Sequence, residues 1–352
     1  MPRANPRPTT PLSARRGAAR LNFGRYGAEV VLAQLPLART TVDADGAARA
    51  RPGLLTELRR DEATRVLLVH RGLLGVAQDD GLSLLPVADV PDAAWTADHV
   101  LYLGREGVTR YVALVLPEHL GEERDLDGAP VDTDAPLVIL AAGARFAHLR
   151  DVGDRLGDRD TGLATTAVAL AAWHERNPRC PRCGEATEVV EAGWVRRCLV
   201  DHSLHYPRTD AAVIMAVVDA ADRLLLGHAA HWPARRYSTL AGYVEPGESL
   251  ESAVRREVAE ETGIVVGEVR YVGSQPWPFP CSLMTAFGAQ VAEGAGTDVV
   301  VDGVELTAAR FFGREELGAA VAAGEVHLPT RTSIARALIE DWFGGPLPQP
   351  PA

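Results

Sequence analysis

The chain has 352 residues, which is too long for one ordinary domain and predicts two or three. Its 47% hydrophobic and 24% charged residues exclude wholesale disorder, and its net charge of −11 argues against binding nucleic acid by bulk charge. All 36 basic residues are arginine, which excludes Schiff-base and pyridoxal enzymes, Walker-type phosphate loops and protein kinases because their chemistry needs a lysine.

The amino-terminal residues 1–20 are rich in Arg and Pro and have no apolar segment or cleavage site behind them. We interpret them as a disordered tail, with an organellar transit peptide as the alternative. The longest apolar runs fall short of the roughly 20 residues that span a bilayer, so the sequence predicts no membrane segment. The 4 cysteines are too few for a secreted disulfide scaffold, which makes a reducing cytoplasm the expected location.

Residues 21–148 alternate short apolar runs with turn residues, which predicts a mostly β or α+β domain. The predicted strands are 67–70, 75–77, 100–104, 110–116 and 136–140. Residues 149–176 repeat small apolar side chains at helical spacing, which predicts a connecting helix. Its apolar face comprises Leu163, Ala167, Leu170 and Trp173.

The segment 177–207 contains three of the four cysteines, and Cys180, Cys183 and Cys198 have the spacing of zinc-ribbon ligands. A new domain is predicted over 208–345. It opens with a hairpin whose strands are 212–219 and 224–226, joined by a turn at 220–223. The Pro-rich residues 346–352 are expected to be an untethered, disordered tail.

A helix rich in carboxylates is predicted from Leu250 to Thr262. Ser249 is a good N-cap residue, and Gly263 suits the left-handed position that ends a helix. Positions 250, 254, 257 and 261 fall on one stripe, so the apolar face that begins at Leu250 continues as Glu257 and Glu261.

Buried carboxylates require cations, because burying each one unpaired costs several kcal/mol. Glu260 leans toward the same side of the helix, and Arg256 can neutralise one acid, for which Glu248 is the candidate partner. Three clustered oxygen donors suit a hard divalent cation, Mg²⁺ or Mn²⁺. The competing interpretation, an acid-rich solvated helix face, is the usual one for glutamates in general.

The full spacing decides between these interpretations, because it resembles the Nudix box at every defined position. The matching residues are Gly242-x5-Glu248-x7-Arg256-Glu257-Val258-x-Glu260-Glu261-x-Gly263-Ile264. The resemblance implies an αβα sandwich that hydrolyses a nucleoside diphosphate linked to another group, through a metal-bound or carboxylate-activated water. By matched position, it implies metal binding by Glu257, Glu260, Glu261 and the Ala241 carbonyl.

A second motif lies beyond the box, where the sequence from Ser274 to Met284 reads SQPWPFPCSLM. Prolines alternating with aromatic residues predict a rigid extended segment that cannot join the centre of a sheet. This string downstream of a Nudix box resembles the NADH pyrophosphatase family, and the likeness covers the chain from about Arg150 to Trp342. It implies hydrolysis of NADH or NAD to AMP and nicotinamide mononucleotide, and removal of NAD caps from RNA 5′ ends.

The same resemblance implies the residues that bind the substrate, and it implies an N-terminal Nudix-like domain and a homodimer. Tyr206 and Tyr243 match positions that embrace a base, a role that suits their ring faces. Glu305 matches a further metal-binding acid, whereas Arg150 and Ala335 match substrate positions less securely. The motif supplies the remaining substrate-binding residues: Gln275, Pro276, Trp277, Pro278, Phe279, Pro280, Cys281 and Ser282.

The zinc ribbon departs from the family at its fourth ligand. The family completes the site with a second CxxC pair, but Asp201 stands at that position here, with His202 next to it. Zinc accepts both donors, and His202 is slightly preferred because imidazole is the softer ligand. The alternative is a vestigial ribbon that is held together by packing alone.

Two rival functions remain beside NAD(H) diphosphatase activity. One is a Nudix hydrolase of ADP-ribose or another nucleotide sugar, and the other is a non-catalytic nucleotide-sensing module. The complete set of box glutamates favours an enzyme over a sensing module.

Overall fold

The computed structural model describes residues 35–79, 81–118, 120 and 135–348. The predicted tail at residues 1–20 lies outside these ranges, as do residues 349–352. Among the helices within the described ranges, none has the length and apolar character needed to cross a membrane.

The first unit is a six-stranded sheet with helices on both faces. Side chains of β1 alternate between two cores, because Leu67 and Val69 face one side of the sheet and Val66 and Leu68 face the other. Strand β1 pairs in parallel with β5 and antiparallel with β2 and β3, in the order β4-β5-β1-β2-β6. The strands are β1 Thr64–His70, β2 Leu73–Val76, β3 Leu84–Pro86, β4 Val100–Glu106, β5 Thr109–Val115 and β6 Arg145–Ala147.

Three helices accompany this sheet, and one of them corrects a predicted strand. They are α1 Gly46–Arg49, α2 Leu54–Arg60 and α3 Ala135–Ala142. The strand predicted over 136–140 is therefore wrong. Leu137 is buried while Ile139 is 73% exposed, and the side chains at 137, 140, 141 and 144 share one core cluster. That spacing is helical, so the continuous apolar run was misread as a strand.

The predicted connecting helix over 149–176 forms as two helices, α4 Leu149–Val152 and α5 Asp158–Arg176. The break contains Gly153 and Gly157, and Gly157 is the N-cap residue of α5. The predicted face of Leu163, Ala167, Leu170 and Trp173 is buried as expected. Leu163, Ala167 and Leu170 pack on the first sheet, and the same core cluster receives Trp277 and Phe279 from the carboxyl-terminal part of the chain.

A three-stranded antiparallel sheet follows and holds the cysteine segment. Its strands are β7 Thr187–Val190, β8 Val195–Cys198 and β9 Leu204–His205, in the order β7-β8-β9. Buried Arg196 links β8 to β7 and to α5, since its guanidinium donates to Thr187 Oγ1 at 2.6 Å and lies 2.9 Å from His174 Nδ1. The ribbon is therefore tied to the connecting helix.

The third unit repeats the topology of the first. Strand β10 pairs in parallel with β14 and antiparallel with β11 and β12, in the order β13-β14-β10-β11-β15. This match confirms the expected N-terminal Nudix-like domain. The strands are β10 Asp210–Val218, β11 Leu224–Ala229, β12 Leu240–Tyr243, β13 Val266–Trp277, β14 Ser282–Val291 and β15 Leu306–Phe312.

The two units differ in the segment that carries the predicted metal-binding acids. In the carboxyl-terminal unit, α6 Leu250–Thr262 connects β12 to β13, whereas the equivalent residues 87–99 of the first unit form two short 3-10 turns. Val254 and Val258 of α6 pack on one face of the sheet. Two further helices, α7 Arg314–Ala322 and α8 Ile334–Phe343, cover the other face.

The start of the predicted C-terminal tail is held in the fold. Leu347 is 1% exposed, its N–H donates to Glu340 Oε1 at 2.9 Å, and its carbonyl accepts from buried Arg336. The expectation of an untethered segment from residue 346 is therefore wrong as far as Pro348, because Leu347 supplies an apolar anchor that composition alone does not reveal.

Candidate functional site

The carboxylate helix forms over the predicted residues. Ser249 Oγ accepts from the Ser252 N–H at 3.2 Å, and Gly263 ends the helix with φ of +69°. Val254 is fully buried, and Glu257 and Glu261 on the same stripe are 9% and 6% exposed. The apolar face therefore carries two carboxylates into the interior, as the spacing predicts.

Arg256 gathers the acids around one guanidinium. Its Nε and Nη2 donate to the Glu248 carboxylate at 3.0 and 2.9 Å, which confirms that expected pair. Its Nη1 donates to Glu257 Oε1 at 2.8 Å and to Glu260 Oε2 at 3.0 Å. These contacts raise the pKa of Arg256 further above its usual range. One cation thus faces three acids, and the cluster keeps an excess of negative charge.

Glu261 has no ion-pair partner among the described residues. Burial, followed by the charges of Glu257 and Glu305, raises the pKa of Glu261 to about 8. Its Oε2 has no hydrogen-bond partner among the described residues. Burial also raises the pKa of Glu257, although Arg256 opposes that shift. A buried, unpartnered carboxylate among other acids fits a site that binds a divalent cation.

Gly242 makes room for Glu257. A Cβ atom at position 242 would lie 1.9 Å from the Glu257 Cδ atom, which is far inside van der Waals contact. The Gly that opens the box is therefore required because the carboxylate packs directly on its backbone. Its neighbour Ala241, whose carbonyl is a predicted metal ligand, lies on the same strand β12.

A cavity of about 780 Å³ opens beside the acids. It brings together residues that are far apart in the sequence, because helix α4, the end of β13 and the start of α8 meet there. Of the predicted site residues, six line this cavity: Arg150, Ala241, Glu261, Trp277, Glu305 and Ala335. Arg150 stacks over both aromatic rings of the motif, with its guanidinium carbon 5.3 Å from the Trp277 centroid and 4.4 Å from that of Phe279.

Gln275 is placed differently from the prediction. It is fully buried, its Oε1 accepts from the Leu37 N–H at 3.3 Å, and its Nε2 donates to the Thr332 carbonyl at 3.1 Å. Both ends of the amide are thus occupied by the backbone. Gln275 therefore connects the segments at Leu37 and Thr332, and the structure does not support contact between its side chain and a substrate.

The proline motif is a hairpin rather than one extended segment. Strand β13 continues through Pro276 to Trp277 and pairs with β14 at the edge of the sheet, where a proline is tolerated. The chain then turns and re-enters the sheet at Ser282. Pro278 and Phe279 line a neighbouring cavity of about 870 Å³, which shares Arg150 with the first.

The other predicted substrate residues lie beside a third cavity or on the surface. Tyr243, Pro280 and Cys281 line a space of about 660 Å³. The Tyr243 ring is 56% exposed, with its hydroxyl 3.3 Å from Ser282 Oγ, and Tyr206 is 64% exposed. Cys281 Sγ donates to Asp210 Oδ2 at 3.4 Å. Within one chain, the two tyrosines do not share the cavity of Trp277.

The cysteine cluster has the geometry of a metal site. The ligand atoms of Cys180, Cys183, Cys198 and Asp201 all lie within 4.8 Å of one another. Cys183 Sγ and Cys198 Sγ are 3.5 Å apart, close to the about 3.8 Å expected for two sulfurs on a tetrahedral zinc ion. The structure brings Asp201, and not the slightly preferred His202, to the three sulfurs.

Hydrogen bonds around the cluster favour the charged forms of two ligands, Cys180 and Asp201. The Cys183 thiol differs, because the Glu185 N–H that lowers its pKa is outweighed by the neighbouring Cys198 and Cys180 sulfurs, which raise that pKa to about 11. The Val200 and Asp201 N–H groups both donate to Cys198 Sγ at 3.4 Å. Burial raises the pKa of the Cys180 thiol, but the backbone N–H groups of Arg182 and Cys183 outweigh it and lower that pKa to about 6. Ser203 lowers the pKa of Asp201 to about 2 by donating from its hydroxyl and its backbone. The donor set therefore fits zinc.

Trp232 and Arg236 are among the residues of the main cavity that sequence reasoning missed, and both lie in the loop between β11 and β12. The guanidinium carbon of Arg236 lies 5.0 Å from the Trp232 ring centroid. Their position in the sequence could have indicated this role, because their loop leads directly into strand β12, where the box begins.

Three family models match the chain in succession. They are the NADH pyrophosphatase-like rudimentary NUDIX domain at residues 63–173, the NADH pyrophosphatase zinc ribbon domain at 175–206 and the NUDIX domain at 207–333.

Curated relatives match over most of the chain. The NAD-capped RNA hydrolase NudC of Mycobacterium bovis (strain BCG / Pasteur 1173P2) is 37% identical over 313 residues, which are 86% of this chain and 90% of that protein. The protein of the same name from Mycobacterium tuberculosis (strain ATCC 25618 / H37Rv) has the same identity and coverage. The NAD-capped RNA hydrolase NUDT12 of Homo sapiens is 39% identical over 201 residues, covering 54% of this chain and 43% of that protein.

Solved structures match the chain in part. A crystal structure of a NUDIX hydrolase from Nitrosomonas europaea has a TM-score of 0.38 and 23% identity, and covers 48% of this chain and 94% of that one. A second NUDIX hydrolase structure from the same organism has a TM-score of 0.31 and 28% identity, and covers 40% and 93% of the two chains.

Proposed function

The chain belongs to the NADH pyrophosphatase family of Nudix hydrolases, and we propose that it hydrolyses the diphosphate of NADH and NAD⁺ to AMP and nicotinamide mononucleotide. We further propose that it removes NAD caps from RNA 5′ ends, the activity named for its mycobacterial and human relatives. The observation that carries the proposal is the cavity lined both by the box acid Glu261 and the further acid Glu305 and by Arg150 and Trp277. An acidic wall suits metal ions, and a cationic, aromatic wall suits a dinucleotide.

We assign the divalent cation, Mg²⁺ or Mn²⁺, to Glu257, Glu260, Glu261, Glu305 and the Ala241 carbonyl. A cation held there supplies charge neutralisation at the phosphates and a water molecule of lowered pKa. Arg256 positions Glu257 and Glu260 through one nitrogen, at 2.8 and 3.0 Å. Glu261 keeps Oε2 free of protein hydrogen bonds within the described residues, so this oxygen is available to the cation.

The substrate choice is tested by turnover with four substrates. We expect NADH and NAD-capped RNA to be hydrolysed with a higher kcat/KM than ADP-ribose, because an aromatic ring that stacks on the nicotinamide, Trp277 or Tyr243, contributes only when that second base is present. The measurement is a side-by-side kinetic comparison of NADH, NAD⁺, ADP-ribose and NAD-capped RNA, with Mg²⁺ and with Mn²⁺. A preference for ADP-ribose would establish the rival nucleotide-sugar activity, and no turnover at all would favour a sensing module.

The aromatic residues are expected to serve the bases. We predict that Tyr243→Ala and Trp277→Ala lower kcat/KM for NADH by about 5- to 150-fold, the equivalent of about 1–3 kcal/mol per stacked base. Hydrolysis of ADP-ribose, which lacks the nicotinamide, should fall less in at least one of the two variants. Equal losses on both substrates in both variants would mean that the rings only support the fold.

We propose that the ribbon binds one structural zinc through Cys180, Cys183, Cys198 and Asp201. Asp201→Cys should strengthen zinc binding, since it restores a fourth thiolate, and Asp201→Ala should weaken it. His202→Ala is the matched control and should leave the affinity unchanged. Competition with a chromophoric chelator measures these affinities. Substoichiometric zinc in metal-replete wild-type protein would instead show a vestigial ribbon.

We propose a homodimer in the cytoplasm. Exposed apolar side chains on the ribbon support self-association, since Leu199, Val200 and Leu204 are between 45% and 62% exposed beside Tyr206. The predicted domain boundaries at residues 20, 148, 176 and 207 stay part of this proposal. Light scattering coupled to gel filtration measures the oligomeric state, and a monomeric mass at working concentration would contradict the dimer.

A further inference from the structure

Two guanidinium groups face the main cavity from different parts of the chain. Arg150 comes from helix α4, and Arg236 comes from the loop between β11 and β12. Both stack on aromatic rings, Arg150 on Trp277 and Phe279 and Arg236 on Trp232. Stacking fixes the planes of these side chains and leaves their N–H groups at the cavity wall.

Within the described ranges, neither guanidinium has a carboxylate partner, since Arg150 and Arg236 form no ion pair and donate no side-chain hydrogen bond. By contrast, Arg208, which lines another cavity, pairs with Asp210 at 2.6 Å. Burial lowers the pKa of Arg150, and the neighbouring Arg236 charge lowers it further against the opposing effect of Asp151. Two like charges thus repel each other with only the partial opposing effect of Asp151, and this repulsion costs free energy.

A ligand can remove this cost if it brings negative charge to that wall. Guanidinium groups bind phosphate oxygens through two parallel hydrogen bonds, which makes phosphate the anion that fits an arginine pair. Glu261 and Glu305 line the same cavity, so a free anion would be repelled by them unless a cation intervened. A phosphate group in this cavity can therefore present some oxygens to the cation and the others to the arginines.

We propose that Arg236, together with Arg150, forms a phosphate-binding subsite for the diphosphate of the substrate. This inference rests on the proposed function for the identity of the substrate, but not for the chemistry of the subsite. Arg236 is thereby a substrate-binding residue in addition to those implied by the family motif.

Arg235, the neighbour of Arg236 in the sequence, is an arginine that does not face the cavity. Arg235 is exposed, and its Nη1 donates to the Gly324 carbonyl at 3.3 Å, away from the cavity lining. The two neighbours share charge, size and loop, but only Arg236 faces the cavity. If Arg236 served only to stack on Trp232, its loss would affect ligands with and without phosphate alike.

The test compares Arg236→Gln with the matched control Arg235→Gln by calorimetric binding at saturating Mg²⁺. The ligands are the two product nucleotides, AMP and nicotinamide mononucleotide, and their nucleosides, which lack the phosphate. We expect Arg236→Gln to weaken at least one nucleotide about tenfold or more, as for loss of a charged hydrogen bond, and to leave both nucleosides unchanged. Arg236→Lys should recover part of the loss, and Arg235→Gln should bind like wild type.

Unchanged affinity of Arg236→Gln for both nucleotides would overturn the proposal, as would equal weakening of nucleotides and nucleosides. Wild-type protein that shows no preference for nucleotide over nucleoside would also overturn it. These outcomes are independent of catalysis. If the wild type failed to hydrolyse NADH, the proposed function would fall, while the nucleotide and nucleoside affinities would still decide whether the subsite exists.

Discussion

Replacing Glu261 by Gln is expected to lower kcat by about a thousandfold or more without disturbing the fold. The substitution keeps the shape of the side chain and removes the charge that the cation needs, and charge stabilisation by a metal is worth several kcal/mol, at about 1.4 kcal/mol per tenfold in rate. Steady-state turnover of NADH at saturating Mg²⁺ measures the effect. Near-wild-type kcat would show that Glu261 is not a metal ligand. Glu257→Gln is expected to lower kcat in the same way as Glu261→Gln.

Glu261→Gln is also expected to affect thermal stability when no metal is bound. Glu261 is buried without a counter-charge, which is why its pKa is raised to about 8. The neutral amide escapes the cost of burying a charge, so thermal stability in EDTA should equal or exceed that of wild type. Glu251→Gln is the matched control, since Glu251 is exposed on the first turn of the same helix, and it should change neither property.

Replacing Gly242 by Ala is expected to lower kcat by about a hundredfold. The new methyl group would need the place now taken by the Glu257 carboxylate, from which its ideal position is only 1.9 Å away. Either β12 or Glu257 must move, and a misplacement of about 1 Å in a catalytic group costs about that factor in rate. Kinetics of NADH hydrolysis over a range of Mg²⁺ concentrations should also show that the variant binds Mg²⁺ more weakly than wild type.

Gly296→Ala serves as the control for this substitution. Gly296 has no atom within 4 Å of an added Cβ and lies on the surface, so its variant should keep wild-type kcat and stability. A Gly242→Ala variant that folds and turns over NADH at the wild-type rate would show that Glu257 tolerates displacement, and that its packing on β12 does not position the metal ligands.

The carboxylate helix could be predicted to the residue because its signals are local. The cap at Ser249, the turn at Gly263 and the stripe through Glu257 and Glu261 all lie within one short segment. The Nudix fold, the NADH pyrophosphatase family and the enzyme class are confirmed by the family models and relatives, since their motifs are also continuous in sequence.

The features that sequence reasoning misplaced, left open or missed depend on the folded chain. Gln275 belongs to the motif, yet its amide is used by Leu37 and Thr332, which lie 238 and 57 residues away. Whether Asp201 or His202 joins the cysteines depends on a turn in which His202 has φ of +57°. Arg236 has no motif of its own, and only the folded loop brings its charge to the cavity that holds Arg150.

The most direct test of the central claim is the identity of the products from NADH. Wild-type protein with Mg²⁺ should convert NADH to AMP and reduced nicotinamide mononucleotide in equal amounts, and Glu261→Gln protein should form neither at a comparable rate. Chromatographic separation of the reaction mixture measures both products. Release of nicotinamide with ADP-ribose, or unconsumed NADH with metal-replete protein, would contradict a diphosphatase built on the acids of the box.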